Sequence, residues 1–495
     1  MNYISTRSEY PNKKTSAFVI KQGIVPDGGL YVPESIPALS GSDLIELSRM
    51  KYVDKAAYIL GLFLTDYTKE ELTRAAAEAY GRGKFPSPPV KLSRVNGDYV
   101  LELWHGPTSA FKDMALQIMP NLLSLALEKT GEERDALILV ATSGDTGKAA
   151  LEGYADADRV FIQVFYPSEG VSIIQNRQMA TQKGKNVCVT AINGNFDDAQ
   201  SGVKAIFADR NINRLLGDKG LFLSSANSIN WGRLAPQIVY YVSAYCELLK
   251  AGRIKPGDKL NVTVPTGNFG NILACYIAKK MGVPIGKMVC ASNKNNILTD
   301  FLRTGVYDIK RDFFATMSPS MDILISSNLE RLLFFAAGAK KCAGYMRDLF
   351  DKGIFRIEKD VLDKMNEDFT GYYCNEENTS ATIDEYFKSR NYLIDTHTAV
   401  GLYCANEYKK ETGDKNTMLI ASTASPYKFS TSVLAAIGEA VPEDEFEALK
   451  KLNQVSGACI PKKLETLEEK KIRFSKIIEK QDMKSEVISF SKLIK

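Results

Sequence analysis

From about residue 100 onward, short runs rich in Val, Ile, Leu and Phe alternate with longer amphipathic segments, and each run closes in a polar or glycine-bearing turn. This rhythm constrains the fold more than any other feature, because strands that lead through helices into further strands pair in parallel with right-handed crossovers. Candidate strands are Tyr99 to Leu103, Leu137 to Ala141, Val160 to Phe165, Val187 to Ala191, Leu221 to Ser224, Leu260 to Val264, Lys287 to Ala291 and Met418 to Ser422. The fold class that follows is α/β. Ligands of open α/β sheets gather beyond the carboxyl ends of the strands, so the turns that follow strands are where chemistry is to be sought.

At 495 residues the chain exceeds one ordinary core, and two or three domains are expected. Residues 1–90, with the tight turn Pro26 to Pro33 ahead of helices, read as an amino-terminal subdomain. Residues 91–250 read as one α/β domain and 251–495 as a larger one. The larger domain carries a helical, charged insertion near 305–390, within which Ser318-Pro319-Ser320-Met321-Asp322 has the look of a helix start. The lysine- and glutamate-rich tail from Glu443 reads as a solvated helix face.

Composition narrows the functional classes. With 45% hydrophobic and 25% charged residues the chain has the make-up of a globular protein. Its longest apolar stretches, such as Leu137 to Ala141 and Leu332 to Ala337, fall far short of the roughly 20 residues that span a bilayer. A net charge of +4 with no basic stripe gives no nucleic-acid signature. The start Met1 to Arg7 lacks a basic segment followed by an apolar one, so a cytoplasmic protein is expected. Eight cysteines without a C-x-x-C pair are expected to be free thiols, with Cys188, Cys275 and Cys290 in apolar runs. Of the two histidines, His105 is a candidate lining residue and His397 reads as a packed loop residue; neither offers metal-ligand spacing, and no metal is expected.

Five turns carry candidate chemistry. His105 to Asp113 places Lys112 at a helix start, where the positive end of the helix disfavours a cation. A surface lysine fits this segment as well, but the same dipole lowers lysine basicity, and Schiff-base chemistry needs a neutral amine. The turn Ala141 to Gly147 offers the hydroxyls of Thr142, Ser143 and Thr146 with a glycine-freed backbone, suited to a carboxylate or phosphate. It lacks Walker spacing, and a plain capped turn is the bland alternative. In Pro265 to Asn271, glycines allow consecutive amides to approach one phosphate at a helix amino terminus, although an ordinary strand-to-helix corner also fits. Ser422 to Lys428 carries Thr423, which as a helix cap would be unremarkable. Ser225 to Arg233 supplies amides and an arginine, whose fork matches phosphate or a structural carboxylate.

In this order the turns resemble those of the β-family of pyridoxal-phosphate enzymes, specifically the threonine synthase family of the longer bacterial and fungal type. The resemblance runs nearly end to end. It rests on Asp27-Gly28-Gly29-Leu30-Tyr31-Val32-Pro33, on Gly106-Pro107-Thr108-Ser109-Ala110-Phe111-Lys112-Asp113, and on Ser318 to Ile323 followed by Ser327-Asn328-Leu329-Glu330-Arg331. It implies a fold type II architecture like that of tryptophan synthase β, with pyridoxal 5′-phosphate held by Lys112 as a Schiff base. By the same resemblance, Gly267, Asn268, Phe269, Gly270 and Asn271 hold the cofactor phosphate and Thr423 faces the pyridine nitrogen. Asp145, standing where the wider β-family commonly has asparagine, is expected near the cofactor's 3′ oxygen. Ser109, Thr142, Ser143 and Thr146 are implied to meet the substrate, and Asn227 and Arg233 its phosphate. The implied reaction is that of a lyase acting on a phosphate: O-phosphohomoserine and water give threonine and phosphate, the last step of threonine biosynthesis. The implied partner is that small-molecule substrate, with no nucleic acid or membrane, in a monomer or weak homo-oligomer. The alternatives are a threonine or serine dehydratase of the same family and a catalytically silent cofactor-binding protein.

Overall fold

The computed structural model of the chain describes residues 1–10, 12–81, 83–142 and 144–494. Each of the eight apolar runs forms a strand there, and they divide between two sheets. The larger has six strands in the order Phe369–Tyr373, Ile285–Ser292, Leu260–Pro265, Met418–Ser422, Asp98–Glu102 and Lys91–Val95. All its pairings are parallel except the last, a hairpin. The smaller has five parallel strands in the order Ile477–Glu479, Val187–Asn193, Val160–Pro167, Asp135–Ala141 and Leu221–Ser224. Strands such as Leu260–Pro265 and Met418–Ser422 are buried along their whole length, as near-continuous apolar runs covered on both faces should be.

Sheet membership cuts across the limit drawn from chain order at 250, while the pair Tyr3–Ser5 and Tyr31–Pro33 keeps to the amino-terminal segment. The strand that leads toward Lys112 belongs to the larger sheet, while the carboxyl-terminal Ile477–Glu479 completes the smaller one. The segment 305–390 is not purely helical either. It holds the helices Leu329–Lys352, Lys359–Asp368 and Glu376–Arg390, but also the hairpin of Val306–Asp308 with Ile354–Arg356 and the edge strand Phe369–Tyr373. These strands are short, and Thr370 and Gly371 interrupt the apolar signal of the edge strand.

The charged tail also does more than face solvent. Met483, Val487 and Phe490, spaced along the helix Met483–Ser491, bury against a core that includes Leu137, Leu139 and Phe165 of the smaller sheet. At the other end, the helices Gly41–Arg49 and Tyr52–Phe63 pack on the long helix Trp231–Lys250, most of whose residues are buried. The eight cysteines are all free thiols, and six of them are buried. Among the described residues no helix is long and apolar enough to cross a membrane, and no cluster of side chains is disposed to hold a metal.

Candidate active site

Lys112 follows directly from the way its segment is stitched to the larger sheet. Phe111 N–H donates to the Thr423 carbonyl at 2.8 Å and Ser425 N–H to the Ser109 carbonyl at 3.1 Å, so the lysine turn and the turn after Met418–Ser422 run side by side. Ser109 makes this possible by adopting φ +60°, a left-handed conformation uncommon outside glycine. Its hydroxyl is buried and without a partner. Just beyond the lysine, Asp113 accepts from Thr108 N–H at 2.8 Å and from the Thr108 hydroxyl at 2.7 Å, which closes the turn on itself.

The Lys112 side chain, 13% exposed, lies 3.8 Å from Asp145 Oδ2. The other carboxylate oxygen of Asp145 is taken by the ammonium of Lys428, which is wholly buried, and by Gln175 Nε2 at 2.8 Å. Lys428 also donates to the Thr108 carbonyl at 3.2 Å. One carboxylate is therefore shared between two lysines. Burial pushes the Lys112 amine down to about 8, the nearby charges of Lys428 and Arg233 add to that, and Asp145 and Asp113 oppose it. Burial would raise Asp145, yet Lys428 and Lys112 together hold its carboxyl well below the usual range. Burial lifts the Asp113 carboxyl to about 7 against the pull of Thr108 and Lys428.

Lys112 Nζ also donates to Ser320 Oγ at 3.2 Å. Ser320 belongs to the short turn Pro319–Met321, and its carbonyl lies against Gly267, where an added Cβ would meet it at 2.7 Å. The lysine and the glycine corner thus share a neighbour, although about 150 residues separate them in sequence. Phe269, at φ +61°, turns the chain into the helix Gly270–Lys280. Asn268 is exposed and Gly270 buried. Asn271 Oδ1 accepts from Tyr240 and Tyr241, while its buried Nδ2 has no partner. The Asn268 carbonyl accepts from Asn328 N–H at 3.1 Å and Nδ2 at 3.0 Å, and the Asn328 amide extends to the Ser228 carbonyl at 3.3 Å.

The Asn328 bridge explains how the amino-terminal motif reaches the site without touching it. Arg331, wholly buried, holds the Asn328 side chain and donates through Nε to the Tyr31 carbonyl at 2.9 Å. Arg7 grips the neighbouring Glu330 with both arms, at 2.9 and 2.8 Å. The Asp27 turn is anchored in the same way, with Gly29 N–H donating to its carboxylate at 2.7 Å and Ser5 at 2.9 Å.

On the opposite side, the Thr142 hydroxyl accepts from Gly144 N–H at 3.0 Å and Gly147 N–H at 2.9 Å, and so shapes the turn into the helix Asp145–Tyr154. Gly144 has φ +150°, and a Cβ there would collide with Gln175. Thr146 is partly exposed, and Ser143 lies outside the described residues. Thr423 is buried, with its carbonyl engaged by Phe111. Arg233 donates to the Ala226 carbonyl and so fixes the turn that carries the exposed Asn227. Its Nε is buried without a partner. Burial brings the guanidinium down to about 10, still charged at neutral pH.

A family profile described as "Pyridoxal-phosphate dependent enzyme" matches residues 83–423, flanked by "Threonine synthase N terminus" over 2–80 and "Threonine synthase, C-terminal" over 398–488. A threonine synthase from Pseudomonas aeruginosa is 39% identical, with 89% of this chain and 91% of that protein covered. The crystal structure of a PLP-bound threonine synthase from Brucella melitensis superposes with a TM-score of 0.88 at 35% identity, covering 99% of this chain and 100% of that one. The chain belongs to the threonine synthase family. Human threonine synthase-like 1 is 38% identical over 88% of this chain, which spans only 60% of that protein's length.

Several residues of this threonine synthase-family site escaped the motif reading. Lys428 closes the same turn as Thr423, but nothing local says that it is buried against Asp145. Gln175 lies on a different helix, Ile173–Ala180. Ser320 lies in a segment that has the look of a helix start and carries part of the resemblance, but nothing in its sequence marks it as a neighbour of Lys112. His397 is not a bystander, since its Nε2 accepts from Ser320 N–H at 3.2 Å.

Proposed function

We propose that the chain is a threonine synthase that uses pyridoxal 5′-phosphate to convert O-phosphohomoserine and water into threonine and phosphate. The observation that carries this reading is a buried lysine amine of lowered basicity set beside a glycine corner at a helix amino terminus, through their common neighbour Ser320. The donors left over fit a phosphorylated cofactor. Asn271 Nδ2 and Ser109 Oγ are buried and unpartnered, and the amides that open the helix Gly270–Lys280 are of the kind that suit an anion.

Bound pyridoxal phosphate supplies a ring that stabilises negative charge developing on the substrate carbons. The protein's part is to bind, orient and move protons. Lys112 would anchor the cofactor, then take the proton from the substrate Cα and return protons later, with an amine basicity near neutral pH that suits transfer in both directions. Gly267 to Asn271 would cradle the cofactor phosphate, with Thr423 at the pyridine nitrogen. Asp145, charged and shared with Lys428, would face the 3′ oxygen with the pair contributing no net charge. Arg233, charged and with a free Nε, would hold the substrate phosphate and stabilise it on departure, with Asn227 beside it. Ser109 and Thr146 would bind the substrate, and Thr142 would do so with the proton its turn contacts leave free. Ser143 is assigned the same role on its motif alone.

The buried cationic Arg233 favours a phosphorylated substrate over serine or threonine themselves, and so speaks against the dehydratase alternative. Purified protein with added cofactor should release phosphate and form threonine from phosphohomoserine. Ammonia and a keto acid from threonine, without phosphate release from phosphohomoserine, would assign it to the dehydratases instead.

A further inference from the structure

One chain of hydrogen bonds ends on the Lys112 amine and is not explained by the binding roles above. Lys112 Nζ donates to Ser320 Oγ at 3.2 Å, Ser320 N–H donates to His397 Nε2 at 3.2 Å, and His397 Nδ1–H donates to Asp395 Oδ2 at 2.7 Å. These bonds fix the imidazole tautomer, because Nε2 must be bare to accept and Nδ1 must carry the hydrogen. His397 and Asp395 are each 1% exposed, and the Phe429 ring packs against the imidazole with centroids 4.9 Å apart. Asp395 is held in turn by the start of the helix Thr396–Thr412, accepting from His397 N–H and Thr398 N–H, both at 3.0 Å. Capping that helix needs only Asp395. The Nε2 contact with Ser320 is additional, and it reaches the segment that touches the lysine.

We propose that Ser320, set in place by the His397–Asp395 pair, is the resting station of the Lys112 amine whenever that amine is not joined to the cofactor. Ser320 and His397 are then positioning residues for the proton transfers of Lys112. The inference rests on the reading of Lys112 as the cofactor lysine that also serves as acid and base. An amine on a flexible four-carbon stem samples many positions, and one fixed acceptor narrows them toward the reacting carbons. A hydroxyl suits the task because it receives a hydrogen bond from either form of the amine without adding charge. A second carboxylate would instead hold the lysine protonated.

Two arms test this. In the first, the cofactor-free protein is labelled with trinitrobenzenesulfonate and the rate at Lys112 is followed by peptide mapping. Ser320→Ala and His397→Asn should each raise that rate severalfold, because the amine loses an acceptor that favours its charged form. In the second, the cofactor-loaded variants are assayed for phosphate release. Both substitutions should keep the visible absorbance and an unchanged KM but lower kcat roughly tenfold or more. Ser320→Thr, which keeps the hydroxyl, and His397→Gln, which carries an acceptor near the position of Nε2, should recover most of the loss. The double variant should be no worse than either single one, since both break the same chain. Unchanged labelling and kcat in Ser320→Ala, additive losses, or His397→Gln no better than His397→Asn would overturn the proposal and leave His397 a packing residue. The labelling arm needs neither cofactor nor substrate, so failure to make threonine would count against the enzymatic assignment and leave this arm to decide the station.

Discussion

Methionine at position 428 would fill the space of the buried lysine without its charge. Asp145 is then no longer shared, and its carboxylate, 3.8 Å from the Lys112 amine, has only that cation to face. A pair of unit charges at that distance interacts by about 4 kcal/mol at an effective dielectric near 20, the equivalent of roughly three pKa units. Part of this attraction already acts in the native chain, while the repulsion from Lys428 vanishes as well. The balance predicts that the Lys112 midpoint, now about 8, rises by roughly one to two units in Lys428→Met. The neutral fraction near pH 8 should then drop from about a half to a tenth or less. The assay follows the growth of visible absorbance after mixing cofactor-free protein with pyridoxal phosphate across a pH series. Asp145→Asn should move the midpoint the other way, below 8, because it removes the attraction and leaves the repulsion of Lys428. A midpoint unmoved by Lys428→Met, or moved downward because Asp145 takes up a proton instead, would refute the reasoning. So would a shift in the same direction in both variants.

Three further outcomes are expected. Gly267→Ala drives a Cβ to 2.7 Å from the Ser320 carbonyl, a backbone clash worth about 1–3 kcal/mol, and titration should show cofactor affinity weakened roughly tenfold or more. Arg233→Leu should leave cofactor binding intact but lower kcat/KM for phosphohomoserine by roughly ten- to a hundredfold, the worth of a charged hydrogen bond. Asp113 keeps its proton in the folded chain up to about pH 7, while the unfolded chain releases it near 4. The stability this lends is full below pH 4 and is lost as pH climbs through 7, roughly 4 kcal/mol in all. Urea unfolding of Asp113→Asn at pH 5 and 8 should therefore show a smaller decline than the wild type.

The apolar runs and their turns were legible because both are local properties. A stretch such as Leu260 to Val264 names its own conformation, and Gly267 or Lys112 declares a missing side chain or a charge in a turn beyond a strand. Where the local signal thins, the reading thinned with it. The edge strand Phe369–Tyr373 is broken by Thr370 and Gly371, and the buried stripe of Met483, Val487 and Phe490 lies among charged residues. Ser320 and His397 carry no signal of their own, since a serine in a helix-start pattern and a histidine behind a capping aspartate are ordinary in that setting.

By itself, then, the sequence determined the α/β layering and pointed to the turns and the lysine on which the proposed function rests. The order of strands in each sheet, the choice of Lys428 as partner of Asp145, and the meeting of Ser320 with Lys112 and Gly267 were decided only by the tertiary structure. The physical reason is that a residue's conformation depends mainly on its neighbours in sequence. The basicity of an amine depends on how dry its surroundings are and on which charges stand within a few ångströms. For Lys112 one of those charges, Asp113, is its neighbour in sequence, while Asp145, Arg233 and Lys428 are brought from distant parts of the chain by the tertiary packing.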